Sequence, residues 1–361
     1  MSKASESERK EKMRAMVLSN HAPVETDPLQ LSLVDRPSIR KNNELTLEIE
    51  ACGVCRSNLH LIEGDWKKYG LPPSLPIIPG HEIVGNVKEI GEGVKKIKVG
   101  DRVGIQPLYS SCMHCDYCSV RRENLCNSAQ ITGETVPGGY AEYISVEEEF
   151  ATPIPDSIDS EHAAPLFCPG ITAYKAVSAS EPALGRSVGI FGIGGVGHLA
   201  IQFAKMQGSR VIAVSRSKKH LDLATKLGAD NRIFFQQTAE DQDEFLAKLK
   251  KEQGGKLLDS AIVFAPSDEA IDTAIKSVKK GGVIVVGVFG KIPTFYFNEE
   301  KIIKGSVIGS RNDMIELVQV AKDFDLKVVV ETFSLGQANS ALLKLKKSEI
   351  EARAVLVPKQ S

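Results

Sequence analysis

The most specific chemistry in this 361-residue chain is carried by Cys112, Cys115, Cys118 and Cys126, spaced C-x2-C-x2-C-x7-C. Such spacing lets one loop surround an ion with four soft thiolates, the closed tetrahedral shell of structural zinc. Four unliganded thiols in a polar loop are the bland alternative. His114 lies inside the cluster but is not needed to complete it.

A second signal is the turn Gly192-Ile193-Gly194-Gly195-Val196-Gly197, which follows the apolar run VGIF and precedes the helix-like HLAIQFAKMQ. Gly192 allows a tight turn, Gly194 lets a pyrophosphate approach the backbone, and Gly197 lets the helix sit close to the strand. The unpaired amides of the helix start then face the phosphates. The next strand-like run, RVIAVSRSKK, ends at Ser215, where an NAD site usually carries a carboxylate for the ribose 2′-hydroxyl. Here a hydroxyl is followed by Arg216, Lys218 and Lys219, which attract a 2′-phosphate. NADP(H) is therefore expected over NAD(H); a solvated basic start to a helix at 217–227 is the alternative.

Elements that could position these groups change character near residue 165. Before it, alternation in ELTLEIEA (44–51) reads as a half-buried strand, with further strands expected at Ile83–Ile90, Arg102–Gln106 and Tyr140–Val146. After about Ser187, apolar runs alternate with helical patterns, as in a parallel sheet covered on both faces. A helix is expected at 267–280, capped by Ser267, burying Ile271, Ala274, Ile275 and Val278, and stopped by Gly281-Gly282. A strand at KVVVE (327–331) and another at ARAVLVP follow later.

The length suggests about two domains. Lys+Arg 45 against Asp+Glu 46 leaves a net charge of −1, with no footprint for nucleic acid or an anionic membrane. Arg121 and Arg122 are the sole support for a non-enzymatic zinc ribbon on nucleic acid. Seven cysteines, an odd number, fit thiolate chemistry in a reducing, cytoplasmic setting better than disulfides. The charged stretch 1–13 is expected to be a disordered tail rather than a signal or anchor.

Spacing alone does not make a site of Cys52, Cys55, His81 and Cys168. However, CGVCRSNLHLIEGDW, PGHEIVG, the four-cysteine loop, LFCPGITAY and GIGGVG occur in an order that resembles zinc-dependent alcohol dehydrogenases of the medium-chain superfamily. The resemblance implies an α/β plus β fold, a GroES-like β catalytic domain (14–165 and 308–361) with an inserted doubly wound Rossmann domain (166–307). It implies catalytic zinc on Cys55, His81 and Cys168, with one position open to a small-molecule alcohol or aldehyde. With the four-cysteine site, that makes two Zn2+ per chain. Glu82 resembles a carboxylate that can join the metal, and Ser57 and His60 resemble a proton relay. Cys52 is left as a small core residue.

Arg56 resembles a pyrophosphate contact, and Thr172, Val286 and Val288 resemble contacts along the nicotinamide. Trp66 and Tyr109 are substrate-pocket candidates. Asn58 stands where many relatives have aspartate; its carbonyl is expected to accept the His81 imidazole N–H without adding charge. The Ser215-Arg216 pair resembles NADP(H)-linked, cinnamyl-alcohol-dehydrogenase-like members. The activity implied is reversible alcohol–aldehyde or alcohol–ketone interconversion, with an NAD(H)-linked alcohol or polyol dehydrogenase as the runner-up. A homo-oligomer, dimer or tetramer, is also implied.

Overall fold

The computed structural model describes residues 11–359, apart from 72, 237, 239 and 240. The first strands are β1 (Lys12–Leu18), β2 (Leu29–Asp35), β3 (Glu44–Val54), β4 (Ile83–Ile90), β5 (Arg102–Ile105), β6 (Leu108–Ser110), β7 (Gln130–Ile131), β8 (Tyr143–Glu147) and β9 (Thr152–Pro153). A helix-separated series follows: β10 (Ser187–Phe191), β11 (Arg210–Ser215), β12 (Asn231–Phe234), β13 (Leu258–Val263), β14 (Val278–Val286) and β15 (Ile302–Gly305). Then come β16 (Val330–Ser334) and β17 (Arg353–Val357).

The helix-separated strands form one parallel sheet in the order β12-β11-β10-β13-β14-β15. Strand order reverses between β10 and β13, which opens a crevice at their carboxyl ends. All of β10 is buried because successive side chains serve opposite cores. Val188 and Ile190 join the core that includes Leu199 and Phe203, whereas Phe191 joins the one that includes Ile212 and Ala261.

The second large sheet runs β16-β17-β3-β4-β5-β9, with β8 also paired to β3. It is antiparallel except for β16–β17. Residues after 330 thus return to a sheet begun at residue 44, giving a GroES-like unit interrupted by a Rossmann-like one. No helix among the described residues is long and apolar enough to cross a membrane.

Several local expectations change. β3 is not half-buried: Leu45, Leu47 and Ile49 enter one core and Ala51 a second, and Glu44 and Thr46 are buried too. Glu44 tolerates burial because its carboxylate accepts the N–H groups of Arg40 (2.7 Å) and Lys41 (3.1 Å). The helix capped by Ser267 spans Asp268–Ser277; Val278 is buried, but as the first residue of β14. The strand expected from Lys327 starts at Val330, because the Gln202 side chain takes both backbone groups of Lys327, at 2.8 and 3.0 Å. The 1–13 tail is also corrected: β1 begins at Lys12, pairs along its length with β2, and buries Met13. Residues 1–10 of that expectation lie outside the described residues.

Candidate active site

Two groups of potential metal ligands have donor atoms within 4.8 Å of one another: Cys112, Cys115, Cys118 and Cys126, and Cys55, His81, Glu82 and Cys168. In the first, Sγ–Sγ separations of 3.6, 3.6 and 3.9 Å join Cys115 to Cys118, Cys126 to Cys112 and Cys112 to Cys118. A zinc–sulfur bond of about 2.3 Å makes the edge of a thiolate tetrahedron about 3.8 Å, so these separations fit one ion. The N–H groups of His114 and Cys115 pull the Cys112 thiol down to about 6, whereas burial pushes Cys118 up to about 11. The His114 ring turns to the Cys112 carbonyl, away from ligation.

In the second group, Cys55 is the residue that caps helix Arg56–Glu63 at the end of β3, His81 leads into β4, and Cys168 precedes helix Pro169–Ala179. Three separate elements therefore converge on one point. Cys55 and Cys168 are 3.6 Å apart, again a tetrahedron edge. The Cys168 thiol and the His81 ring hold Cys55 well below its ordinary pKa, while donation to Cys55, with burial, pushes Cys168 far up. Burial alone would lower the His81 pKa; the Cys55 thiolate more than offsets it and raises it. A buried thiolate, an imidazole and a second thiol suit zinc with one position left open.

Glu82 is wholly buried and pairs through Oε1 with Arg353 of β17. Its Oε2 has no hydrogen-bond partner, so a buried, unsatisfied carboxyl oxygen sits among the ligands, a group that a cation would satisfy. Burial raises Glu82 to about 7 against the pull of Arg353. The guanidinium also lies over the glycine turn: a Cβ on Gly195 would be 2.3 Å from Arg353 Nη1. One side chain thus touches both the metal-ligand group and the glycine turn. Sequence reading missed it, although a lone arginine inside the apolar strand RAVLV was the available signal.

Ser57 Oγ is 3.3 Å from His81 Nε2, at the ligand cluster. His60 lies farther out, with Nδ1 3.0 Å from Asp65 and its ring stacked on Trp66 at 5.3 Å. Trp66 meets Phe289 edge-on at 5.7 Å, and Tyr69 stacks on Phe289 at 4.1 Å. Phe289 follows β14, so this aromatic contact joins the two sheet units beside the crevice. Neither Tyr69 nor Phe289 had a spacing signal.

The expectation for Asn58 is corrected. As the third residue of its helix it completes a capping box, and Oδ1 accepts from the Cys55 N–H and the Tyr140 hydroxyl, both at 3.2 Å. Its amide nitrogen, not its carbonyl, faces His81 Nδ1 at 3.4 Å. Tyr109 is corrected too: its hydroxyl donates to the Ser145 carbonyl at 3.0 Å and its ring packs on the first core, so it is structural. Cys52 is a core thiol, packed under Gly80.

At the crevice, Gly192 has φ +98° and a Cβ there would lie 2.7 Å from the Ala265 nitrogen. A Cβ on Gly197 would be 2.1 Å from the Gly192 carbonyl, whereas one on Gly194 would meet no protein atom within 4 Å. The turn is tight on two sides and open at Gly194. Val196 precedes helix Gly197–Met206. Ser215 Oγ accepts the Ser217 N–H at 3.1 Å, and Ser217 caps helix Lys218–Lys226. Arg216, Lys218 and Lys219 are exposed beside it. Burial and the positive charge of Arg216 both lower the Arg56 pKa, and Arg56 Nη2 donates to the Leu345 carbonyl at 3.3 Å. Thr172 lies one turn beyond Cys168, donating its N–H to that carbonyl at 3.0 Å. Val286 and Val288 lie at the carboxyl end of β14, partly buried against the third core.

Residues 41–156 match the alcohol dehydrogenase GroES-like domain, and residues 195–323 the zinc-binding dehydrogenase domain. An alcohol dehydrogenase of Geobacillus stearothermophilus is 42% identical over 335 residues, covering 91% of this chain and 96% of that protein. The solved alcohol dehydrogenase from the hyperthermophilic archaeon Aeropyrum pernix is similar with a TM-score of 0.86 at 30% identity, covering 96% of this chain and 100% of that one. An acetophenone reductase from Geotrichum candidum, solved in complex with NAD, gives 0.82 at 27% identity, covering 96% and 97%. The convergence of two cysteines and a histidine beside a dinucleotide turn, within chains alike over nine-tenths of their length, identifies an oxidoreductase of the medium-chain, zinc-binding alcohol dehydrogenase family.

Proposed function

We propose that this alcohol dehydrogenase interconverts alcohols with aldehydes or ketones using NADP(H) in preference to NAD(H), with two Zn2+ per chain. The observation that carries the reaction is the convergence of Cys55, His81 and Cys168 next to the open glycine turn. These three would hold catalytic zinc, with Glu82 able to join them, and Cys112, Cys115, Cys118 and Cys126 the structural ion. When bound, zinc polarises the substrate oxygen and the nicotinamide exchanges hydride with its carbon.

The chain's own groups do the rest. Ser57 and His60 carry the alcohol proton from the ligand cluster toward solvent; His60 suits this because its side chain is 26% exposed and an imidazole can both accept and donate a proton. Trp66, backed by Phe289, walls the substrate side and excludes water. Gly192, Gly194, Gly195, Val196 and Gly197 cradle the pyrophosphate with Arg56 and Arg353, and Thr172, Val286 and Val288 line the nicotinamide. Ser215, Arg216, Lys218 and Lys219 take the 2′-phosphate. The repulsion that Arg216 exerts on Arg56 supports that assignment, since a bound anion would relieve it.

The return of β16 and β17 to the sheet that holds β3 supports a catalytic unit of 14–165 and 308–361 around a cofactor unit of 166–307, with β1 extending the first segment back to Lys12. Exposed Ile292, Phe295, Tyr296, Phe297 and Ile302 beside the edge strand β15 support a homo-oligomer. Seven unbridged cysteines support a cytoplasmic setting.

Zinc analysis should return about two ions per chain, and chelation should abolish activity. One ion with activity indifferent to chelation would defeat the catalytic assignment. Steady-state kinetics should favour the NADP pair, and Ser215→Asp should move preference toward NAD; equal efficiency with both pairs would defeat the cofactor assignment.

A further inference from the structure

The loop between β7 and β8 crosses over the segment that delivers His81. A Cβ on Gly133 would stand 2.7 Å from the Gly80 nitrogen, and one on Gly138 would stand 2.1 Å from the Gly80 oxygen. The N–H groups of Gly138, Gly139 and Tyr140 bond to the carbonyls of Ile78, Gly80 and Pro79 at 2.7, 2.9 and 2.9 Å. The loop is therefore pinned to residues 78–80, directly before a metal ligand. Within it stands Glu134, whose own carbonyl accepts the Ser74 N–H at 2.9 Å. Ser74 belongs to the segment that carries Trp66 and Tyr69, so Glu134 joins the aromatic wall to the His81 segment.

The Glu134 side chain is half-buried, and among the described residues its carboxylate has no hydrogen-bond or ion-pair partner. It stands outside the ligand group of Cys55, His81, Glu82 and Cys168. Burial pushes its pKa up, and the charged groups it feels are His81 and Cys55. Its oxygens are not among the solvent-excluded atoms that lack a partner, so water satisfies them until a bound molecule displaces it, and losing that water without a replacement is costly. A carboxylate on a loop pinned to the His81 segment, once a substrate displaces that water, is satisfied only when the substrate brings a donor.

We propose that Glu134 is a specificity-determining residue that makes the site select alcohols and aldehydes carrying a second hydrogen-bond-donating group, hydroxyl or ammonium, a few bonds from the reacting carbon. This rests on the alcohol dehydrogenase reading above and narrows its substrate class. A donor-bearing substrate pairs the carboxylate, an alkyl chain leaves it desolvated and unpaired, and an anionic substrate is repelled. Sites that hydrogen-bond a substrate group discriminate against analogues lacking it more sharply than apolar sites discriminate by size.

The test compares kcat/KM for 1,3-propanediol, 3-amino-1-propanol, 1-propanol and 3-hydroxypropionate in the wild type, Glu134→Gln and Glu134→Leu, all zinc-loaded. The wild type should favour the diol and the amino alcohol over 1-propanol, with 3-hydroxypropionate poorest. Glu134→Leu should shrink both ratios to 1-propanol by about tenfold or more, chiefly through KM. Glu134→Gln should retain much of the diol preference, because an amide oxygen still accepts, and lose the preference for the ammonium compound. Ratios that stay within about twofold of wild type in both variants, with 1-propanol still oxidised, overturn the role of Glu134 alone. A wild type that oxidises none of the four overturns the functional reading beneath it.

Discussion

Arg353→Met should destabilise the zinc-stripped protein by about 3–5 kcal/mol, the loss expected when one member of a buried ion pair goes and the other stays. The Arg353 and Glu82 side chains are 3% and 0% exposed, so solvent screening does not reduce that figure. Even in the intact pair, burial raises Glu82 to about 7 from an ordinary 4.5, outweighing the attraction of Arg353. A carboxyl whose folded pKa is raised keeps its proton in the folded state after the unfolded chain has lost it. Its contribution to stability is therefore full below about 4.5 and falls as pH rises through about 7, by roughly 3 kcal/mol at about 1.4 kcal/mol per pH unit. Arg353→Met should push the Glu82 pKa higher still and extend the loss above pH 7. Glu82→Gln should remove this slope, and Glu82→Gln with Arg353→Met should recover stability because no lone buried charge is left. Trp66 is the one tryptophan in the chain, so its fluorescence during urea unfolding between pH 5 and 8 reports the unit that holds the pair. Stability of Arg353→Met within about 1 kcal/mol of wild type at pH 8, or an unchanged slope in Glu82→Gln, would refute the reasoning.

Gly194→Ala should cost less than about 1 kcal/mol in stability but weaken cofactor binding strongly in a fluorescence titration, because only the cofactor competes for that space. Gly197→Ala should instead lower stability itself, since its methyl meets the Gly192 backbone, and a melting curve separates the two. Cys112→Ser should reduce bound zinc from about two ions per chain to about one by elemental analysis and lower the melting temperature. Asn58→Asp keeps the cap acceptor and offers an anionic oxygen to His81, so the catalytic zinc should resist a competing chelator about tenfold better; unchanged resistance would rule out that orientation role.

The four-cysteine loop was legible because its ligands lie within one short stretch, where spacing is geometry. The glycine turn was legible for the same reason. Cys55, His81 and Cys168 come from three elements distant in sequence, and resemblance rather than periodicity brought them together. Arg353 escaped because pairing between β17 and β3 is a long-range event with no local signature beyond one charge in an apolar strand. Burial of β3 on both faces was hidden because alternation shows which residues face apart, not whether a second layer covers the polar side. Asn58 was misjudged because residue type names the available donors and acceptors, while the capping box decides which one is already spent. Tyr109 was misjudged because an aromatic in this region fits a pocket and a core equally well by composition.

The ion pair between Glu82 and Arg353 spans 271 residues of chain. At about 5–20 residues added per second, a ribosome needs roughly a quarter of a minute to a minute to make that interval. Throughout it, Glu82 has been synthesised and its counter-charge has not. The early sheet can close over that side chain at neutral pH only by leaving the carboxyl protonated, since without Arg353 its pKa stands above about 7. The parallel strands β10 to β15 are all made in the meantime, while the catalytic half still lacks β17. The ion pair is thus a late seal: the strands around the glycine turn exist before it, and the half that holds Glu82 gains its buried counter-charge only when the chain returns to complete the sheet.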